Sequence, residues 1–272
     1  MTVAKALTIA GSDSGGGAGI QADLKTFGAL GVYGTAVLTA LTAQNTRGVS
    51  GVHPVPAAFV GEQIATLLAD VTVHAAKTGM LGTADVVREV AAALAGRAAG
   101  PVVVDPVMVA TSGDRLVDDD AVAAVREVLL PVADLVTPNV PEAAALLDVA
   151  PATSVEELAA QAGALLELGP GAVLATGGHL GGAESLDVLA TADGVVVTRR
   201  PRVDTTATHG TGCTLSSAIA ALVARGVGGP ARWEPAVERA RDYLQRALEA
   251  GPSLGIGSGH GPVHHFAGVW DA

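Results

Sequence analysis

Short apolar runs alternate with longer segments of helical periodicity along almost the whole chain. The short runs predict strands over residues 6–9, 35–41, 74–78, 102–104, 135–137 and 172–176. The longer segments predict helices over residues 20–30, 59–68, 85–94, 121–130 and 155–168. Because strands that alternate with helices form parallel sheets with crossover helices, the sequence predicts an α/β fold.

One pair of runs breaks this alternation. Residues 186–190 and 195–198 are separated by Asp193 and Gly194, a turn that joins antiparallel neighbours. They predict an antiparallel hairpin at the edge of a mostly parallel sheet. No long Ser/Pro-rich linker or internal repeat interrupts the chain, so we expect a single domain over residues 1–272.

Composition narrows the classes of function. Hydrophobic residues make up 49% of the chain, which is enough for an extensive core. The net charge of −11 argues against nucleic acid and anionic membranes as partners, since both attract positive surfaces. No apolar run reaches the roughly 20 residues that span a bilayer. One cysteine excludes an internal disulfide framework. We therefore expect a cytoplasmic protein that does not enter membranes.

The most informative segment is residues 209–214, where Gly210, Thr211 and Gly212 lead directly into an apolar helix. Small residues let the backbone approach a ligand, and the first N–H groups of a helix bind anions. This pattern predicts a phosphate site. Cys213, the only cysteine, lies at the same helix start, where the helix dipole favours a thiolate. It is a candidate catalytic group, although a small buried cysteine also fills space behind a turn.

The loop after the first strand leaves two interpretations open. Gly17 and Gly19 fit a loose dinucleotide-binding fingerprint, which would make the protein an NAD-dependent dehydrogenase, but the acidic residue expected near Gln44 is missing. Alternatively, Asp23 and Gln44 together read an amino-nitrogen heterocycle, since a carboxylate accepts from N–H groups and an amide both donates and accepts. Asp23 also suits a helix start without any ligand.

Polar residues follow two further strands. Asp105 comes directly after the strand at 102–104, a position suited to a metal–phosphate complex. Asn139 and Glu142 have the spacing of a capping box, and the same helix start is a place for a Mg²⁺-bound nucleotide, with water between the ion and Glu142. Asn139 and Glu142 can serve as a helix cap and as part of a nucleotide site at the same time.

These motifs, in this order, resemble the hydroxymethylpyrimidine kinase/phosphomethylpyrimidine kinase family of thiamine biosynthesis, within the ribokinase-like superfamily. The resemblance is carried by residues 7–13, 17–26, 43–46, 79–81, 105–108, 137–139, 141–143, 177–179, 209–214 and 261–266. Cys213 is the most specific feature, because most sugar kinases of the superfamily have Asp at that position. The resemblance implies a three-layer α/β/α sandwich, a homodimer, and ATP-dependent phosphorylation of hydroxymethylpyrimidine and then of its monophosphate.

The resemblance also implies which residues bind the pyrimidine and which bind ATP and Mg²⁺. The pyrimidine pocket maps onto Gly11, Asp23, Gln44, Met80, Val107 and Cys213. ATP and Mg²⁺ map onto Asp105, Asn139, Glu142 and Thr176, with Asp105 and Glu142 nearest the ion. The backbone of residues 210–213 would stabilise the transferring phosphoryl group, and Cys213 is predicted to act as the general base.

The chain departs from the commonest family pattern at two positions. Thr176 and Thr111 stand where a lysine is expected, and Arg115 is one candidate to replace the missing charge. Pyridoxal kinase is the nearest alternative function, because that branch shares the cysteine-bearing anion site. Asp23 and Gln44 favour an aminopyrimidine over a pyridine that carries an aldehyde.

Overall fold

A computed structural model describes residues 3–109 and 116–270. The strands are β1 (Lys5–Ala10), β2 (Tyr33–Leu38), β3 (Ala40–Asn45), β4 (Gly48–Pro54), β5 (Ala75–Thr78), β6 (Val102–Val104), β7 (Leu135–Val136), β8 (Val173–Thr176), β9 (Glu184–Thr191) and β10 (Gly194–Pro201). The α-helices are α1 (Gly19–Ala29), α2 (Ala57–Leu68), α3 (Ala84–Ala95), α4 (Asp119–Ala124), α5 (Val140–Leu147), α6 (Val155–Leu166), α7 (Thr211–Ala224) and α8 (Glu234–Ala250). None of the described helices is long and apolar enough to cross a membrane.

The main sheet has the strand order β10-β9-β8-β7-β6-β5-β1-β2. The strands from β8 to β2 in this order are parallel, and β9 is antiparallel to both β8 and β10. The predicted edge hairpin is therefore confirmed.

Helices cover both faces of this sheet, as the period-two alternation of strand side chains requires. Leu7 and Ile9 of β1 belong to the core on the face covered by α2 to α6, whereas Ala6 belongs to the core beneath α1, α7 and α8. Val102 and Val104 of β6 likewise face the first core, and Val103 faces the second. The predicted three-layer α/β/α fold is confirmed.

Two local predictions are wrong. The run at 35–41 does not form one strand: β2 ends at Leu38, and the chain enters a separate two-stranded sheet of β3 and β4. The helix predicted over 121–130 begins as α4 but passes into a π-helical turn and then a 3₁₀ turn that contains Pro131. Proline has no N–H group and cannot continue an α-helix, so the regular helix ends early.

The strand order determines where a site can form. The neighbouring parallel strands β8, β7, β6, β5 and β1 all end at the same edge of the sheet. Their carboxyl ends deliver the segments that begin at Gly11, Gly79, Asp105, Thr137 and Gly177. Ligands of open α/β sheets bind at this edge.

Candidate active site

A cavity of about 730 Å³ lies at the carboxyl edge of the sheet. Nearly all the residues predicted for the site line its wall: Gly11, Gln44, Met80, Asp105, Val107, Asn139, Glu142, Thr176, Gly210, Thr211, Gly212 and Cys213. The one exception is Asp23. The structure therefore brings together side chains that are up to two hundred positions apart in the sequence.

The anion cradle, residues 210–213, forms the start of α7. Gly210 has φ +80°, and a Cβ atom there would collide with the carbonyl oxygen of Gly17, so this position requires glycine. The Thr211 hydroxyl donates to the Thr208 carbonyl oxygen at 2.6 Å and fixes the turn. The Thr211 N–H donates to the same carbonyl oxygen at 3.2 Å. Because the first turn of a helix lacks intrahelical acceptors, the N–H groups of Gly212 and Cys213 remain to bind an anion in the cavity.

Cys213 lies in the wall of the cavity as a protonated thiol. Burial raises its pKa to about 12, and the positive charge of Lys77 opposes this shift without reversing it. The prediction that the helix start favours a thiolate is therefore wrong, because removal from water outweighs the helix dipole.

Asp23 does not reach the cavity, so its predicted contact with the pyrimidine is wrong. Its carboxylate is fully buried and accepts hydrogen bonds from Lys77 Nζ at 2.9 Å and from the hydroxyls of Thr8 and Ser217, each at 2.6 Å. Asp23 lies three residues after Ile20 on the buried face of α1, so its side chain faces the protein interior. Its role is to neutralise a buried lysine.

Lys77 completes a buried charge cluster beneath the anion cradle. Its ammonium group is fully buried and lies 4.0 Å from Asp105 Oδ2 as well as 2.9 Å from Asp23. Although burial alone would lower it, the pKa of Lys77 is held above its usual value by Asp23, Cys213 and Asp105. A lysine inside an apolar strand was the signal in the sequence that a carboxylate must face it.

Asp105 and Glu142 are carboxyl groups in the wall of the same cavity. Asp105 is 4% exposed and accepts from the Ser216 hydroxyl at 2.9 Å, and burial raises its pKa. Glu142 forms the predicted capping box with Asn139, in which each backbone N–H binds the other's side chain at 2.9 Å. Burial and the neighbouring Asp105 raise the pKa of Glu142 to about 8. Two partly desolvated carboxyl groups facing one cavity are suited to a divalent cation.

The raised pKa of Glu142 predicts a pH dependence of stability. Its value of about 8 in the folded protein exceeds the ordinary 4.5, so the folded state holds the proton more tightly than the unfolded state. The free energy of unfolding of the ligand-free protein should therefore fall as the pH rises through that interval. Urea unfolding at about pH 5 and about pH 8 measures this slope, and Glu142→Gln should flatten it.

The control for this prediction is Glu157→Gln, at an exposed helix start. An equal slope in wild type and Glu142→Gln would contradict the assignment.

A model of the phosphomethylpyrimidine kinase family matches residues 13–264. The chain belongs to this family. A hydroxymethylpyrimidine/phosphomethylpyrimidine kinase of Rhizobium meliloti is 52% identical over 97% of this chain and 98% of its own length. A thiamine biosynthesis bifunctional protein of Geobacter sulfurreducens is 49% identical over 97% of this chain and 53% of its own length.

The fold of the phosphomethylpyrimidine kinase family is shared with a solved pyridoxal kinase. The ADP complex of Bacillus subtilis pyridoxal kinase matches with a TM-score of 0.89 and 35% identity, over 99% of this chain and 100% of that one. The predicted family, ribokinase-like fold and function are confirmed: this is a pyrimidine kinase of thiamine biosynthesis.

The dehydrogenase alternative is wrong for a phosphomethylpyrimidine kinase, and the structure gives the physical reason. The N–H groups of Gly17 and Ala18, which a dinucleotide pyrophosphate would need, donate instead to the carboxylate of Asp13 at 2.9 and 2.8 Å. The glycine spacing of the loop resembles a dinucleotide-binding fingerprint, but its N–H groups bind the Asp13 side chain of the same loop.

The missing lysine at Thr176 is not replaced by either arginine that lines the described part of the cavity. Arg202 donates to the carbonyl oxygens of Gly178, Gly181, Gly182 and Glu184 at 2.8–3.1 Å. Arg241 Nε lies 2.7 Å from the buried carboxylate of Asp187. Thr111 and Arg115 lie outside the described residues. Both described guanidinium groups are already engaged, so among the described residues the helix start at 210–213 is the candidate for binding an anion in this wall.

Sequence reasoning missed several wall residues, namely Asp13, Asp187, Arg202, His209 and Arg241. Asp187 and Arg241 are distant in the sequence, and neither belongs to a recognisable motif. Asp13 carried a signal, since an aspartate before Gly15 and Gly17 is typical of a side chain that binds the N–H groups of its own loop.

Proposed function

We propose that the cavity binds the pyrimidine and ATP together, on opposite sides of the anion cradle, and that phosphoryl transfer takes place there. The observation that carries this proposal is the position of residues 210–213: the start of α7 faces the same cavity as Asp105 and Cys213. An anion-binding helix start beside a carboxylate and a proton-accepting group is the arrangement that phosphoryl transfer to an alcohol needs.

The acceptor end of the cavity suits a flat, polar-edged ring. Met80 and Val107 offer apolar contacts. Gly11 leaves room for Met80, since a Cβ atom at position 11 would collide with the Met80 methyl group. Gln44 is half-buried. The Thr42 hydroxyl donates to the Ser12 carbonyl oxygen at 2.8 Å and lies 3.2 Å from the amide oxygen of Gln44. The Gln44 amide therefore keeps a donor and an acceptor for the ligand. Because Asp23 does not line the cavity, we assign recognition of the polar edge of the pyrimidine mainly to Gln44.

The nucleotide end lies toward Asn139, Glu142 and Thr176. The ADP complex of the Bacillus subtilis pyridoxal kinase supports ATP as the donor. Asp105 and Glu142 would hold Mg²⁺ with the nucleotide, Glu142 through water, and the ion would neutralise charge on the phosphate oxygens. No group of three or more His, Cys, Asp or Glu side chains forms a metal cluster within residues 3–109 and 116–270. That agrees with an ion held jointly by protein carboxylates and substrate phosphates.

In the proposed reaction the hydroxymethyl oxygen of the pyrimidine attacks the γ-phosphorus of ATP. The new O–P bond forms as the bond to the β-phosphate oxygen breaks, and ADP leaves. The thiolate form of Cys213, a minor species at neutral pH, accepts the hydroxyl proton and becomes the thiol. The N–H groups at the start of α7 stabilise the charge on the transferring oxygens. In a second turnover the monophosphate is the acceptor, which gives the diphosphate.

Pyridoxal is the second candidate acceptor, because the pyridoxal kinase of Bacillus subtilis shares this fold so closely. We favour the pyrimidine, since Gln44 both donates and accepts along an aminopyrimidine edge. A homodimer and a cytoplasmic location stay predictions of the family resemblance, and sedimentation velocity tests the first.

The decisive experiment offers the protein Mg²⁺–ATP with either hydroxymethylpyrimidine or pyridoxal and identifies the products by mass. We expect the pyrimidine mono- and diphosphate, and no product when Mg²⁺ is chelated. Pyridoxal phosphate as the only product would overturn the proposed substrate. A monophosphate that is never converted further would restrict the proposal to the first step.

A further inference from the structure

Two loops from opposite parts of the chain meet at one carboxylate. Asp13 is 1% exposed and lies in the loop between β1 and α1. Its carboxylate accepts hydrogen bonds from the N–H groups of Gly15 at 2.8 Å, Gly17 at 2.9 Å and Ala18 at 2.8 Å, and from the His209 ring at 2.8 Å. Three of these bonds fold the loop at the acceptor end, and the fourth joins it to the anion cradle.

His209 is the residue directly before the cradle. Its ring is nearly buried, and its backbone N–H donates to the Gly261 carbonyl oxygen at 3.0 Å. Its own carbonyl oxygen accepts from the N–H of Val263 at 3.3 Å. His209 is therefore fixed on its backbone side by the C-terminal segment and on its ring side by Asp13.

The junction leaves no spare space. A Cβ atom on Gly17 would collide with the His209 ring, and one on Gly210 would collide with the Gly17 carbonyl oxygen. Burial alone would raise the pKa of Asp13. The hydrogen bonds from His209 and from the backbone N–H groups outweigh this effect and hold the pKa below its usual range. An ionised acceptor makes these hydrogen bonds shorter and stronger than neutral ones.

We propose that Asp13 and His209 are positioning residues that set the separation between the pyrimidine hydroxyl and the anion cradle. This inference rests on the proposed function, which places the acceptor beside residues 11–19 and the phosphoryl group at residues 210–213. The pair acts through the two loops rather than on the reacting atoms. It matters because phosphoryl transfer depends on the distance and alignment of the two substrates.

The test separates substrate binding from turnover. In Asp13→Asn the loop keeps a side chain of the same size but loses the charge that joins it to His209. The turnover number should fall by about 100-fold, the penalty typical of a misplacement of about 1 Å. His209→Gln should give the same loss of turnover. It leaves the three hydrogen bonds of Asp13 to its own loop in place, so in this variant the KM for pyrimidine and the KM for ATP should change little. His209→Gln also carries the test if Asp13→Asn does not fold.

Two further measurements distinguish positioning from a structural role. The double variant should lose little more turnover than either single variant, because both changes break one connection. Asp134→Asn is the matched control: its carboxylate is also buried and accepts from the Val102 N–H at 2.8 Å, but it precedes β7 at the opposite edge of the sheet. We expect it to lower stability and leave turnover unchanged.

Several results would overturn the inference. They are normal turnover in both single variants, additive losses in the double variant, or a loss in Asp134→Asn equal to that in Asp13→Asn. A wild-type protein that does not phosphorylate the pyrimidine would instead refute the proposed function, so the two failures are distinguishable.

Discussion

Replacement of Cys213 by alanine is expected to reduce the turnover number by at least about 100-fold, the lower end of what a general base contributes. The thiol lies in the cavity wall at the start of α7, next to the anion cradle. Its pKa of about 12 means that little thiolate is present at neutral pH. The value of kcat/KM reports the ionisation of the free enzyme, so for the wild type it should rise about tenfold per pH unit as the thiolate fraction grows.

Steady-state rates of pyrimidine phosphorylation across neutral and alkaline pH check this prediction. The alanine variant should be slow and should lose the rising limb. Cys213→Ser is the matched control, because a hydroxyl keeps a hydrogen-bonding group of similar size but ionises far less readily. A serine variant with near-normal turnover and an unchanged pH profile would show that Cys213 is a hydrogen-bond partner and not the base.

The second large effect concerns stability. Asp23→Ala should lower the free energy of unfolding by about 3–5 kcal/mol, because it leaves a buried ammonium group without its partner. Of the described carboxylates within 4.0 Å, Lys77 would retain Asp105, and the hydroxyls of Thr8 and Ser217 would lose their acceptor. Denaturant unfolding with a common m-value gives the difference directly.

A paired substitution provides the control for this prediction. Asp23→Leu combined with Lys77→Met removes both charges and keeps apolar volume, so it should recover much of the stability lost by Asp23→Ala. An Asp23→Ala protein as stable as the wild type would show that Lys77 finds another partner or loses its proton. The predicted role of Asp23 as a pyrimidine contact would have affected KM rather than stability.

The sequence predicted the features that depend on local pattern. The alternation of apolar runs and helical segments specified the parallel sheet, and Asp193-Gly194 specified the edge hairpin. The spacing of Asn139 and Glu142 specified a capping box that the structure contains. The glycines around Cys213 specified a helix start that faces the cavity. Each of these signals lies within a few residues of the feature that it predicts.

The errors arose where a residue's environment comes from distant parts of the chain. Asp23 has the chemistry of a ligand contact, and only the approach of Lys77 from β5 shows that it is a buried ion pair. The helix dipole predicts a thiolate at Cys213, but the pKa of this group is set mainly by burial, which depends on the packing around the cavity. The β3–β4 sheet was missed because the apolar run at 35–41 continues across the end of β2.

The position of α7 has a consequence for synthesis of the protein. Most of this helix is buried, and it packs on β1, β5 and β6, all of which precede it by more than a hundred residues. Until the ribosome has released residues 211–224, one face of those strands, including Ala6, Ala75 and Val103, lacks its main cover. A growing chain therefore exposes an apolar surface for about half of its translation. Chains that terminate before α7 should aggregate rather than fold into an enzyme of reduced activity.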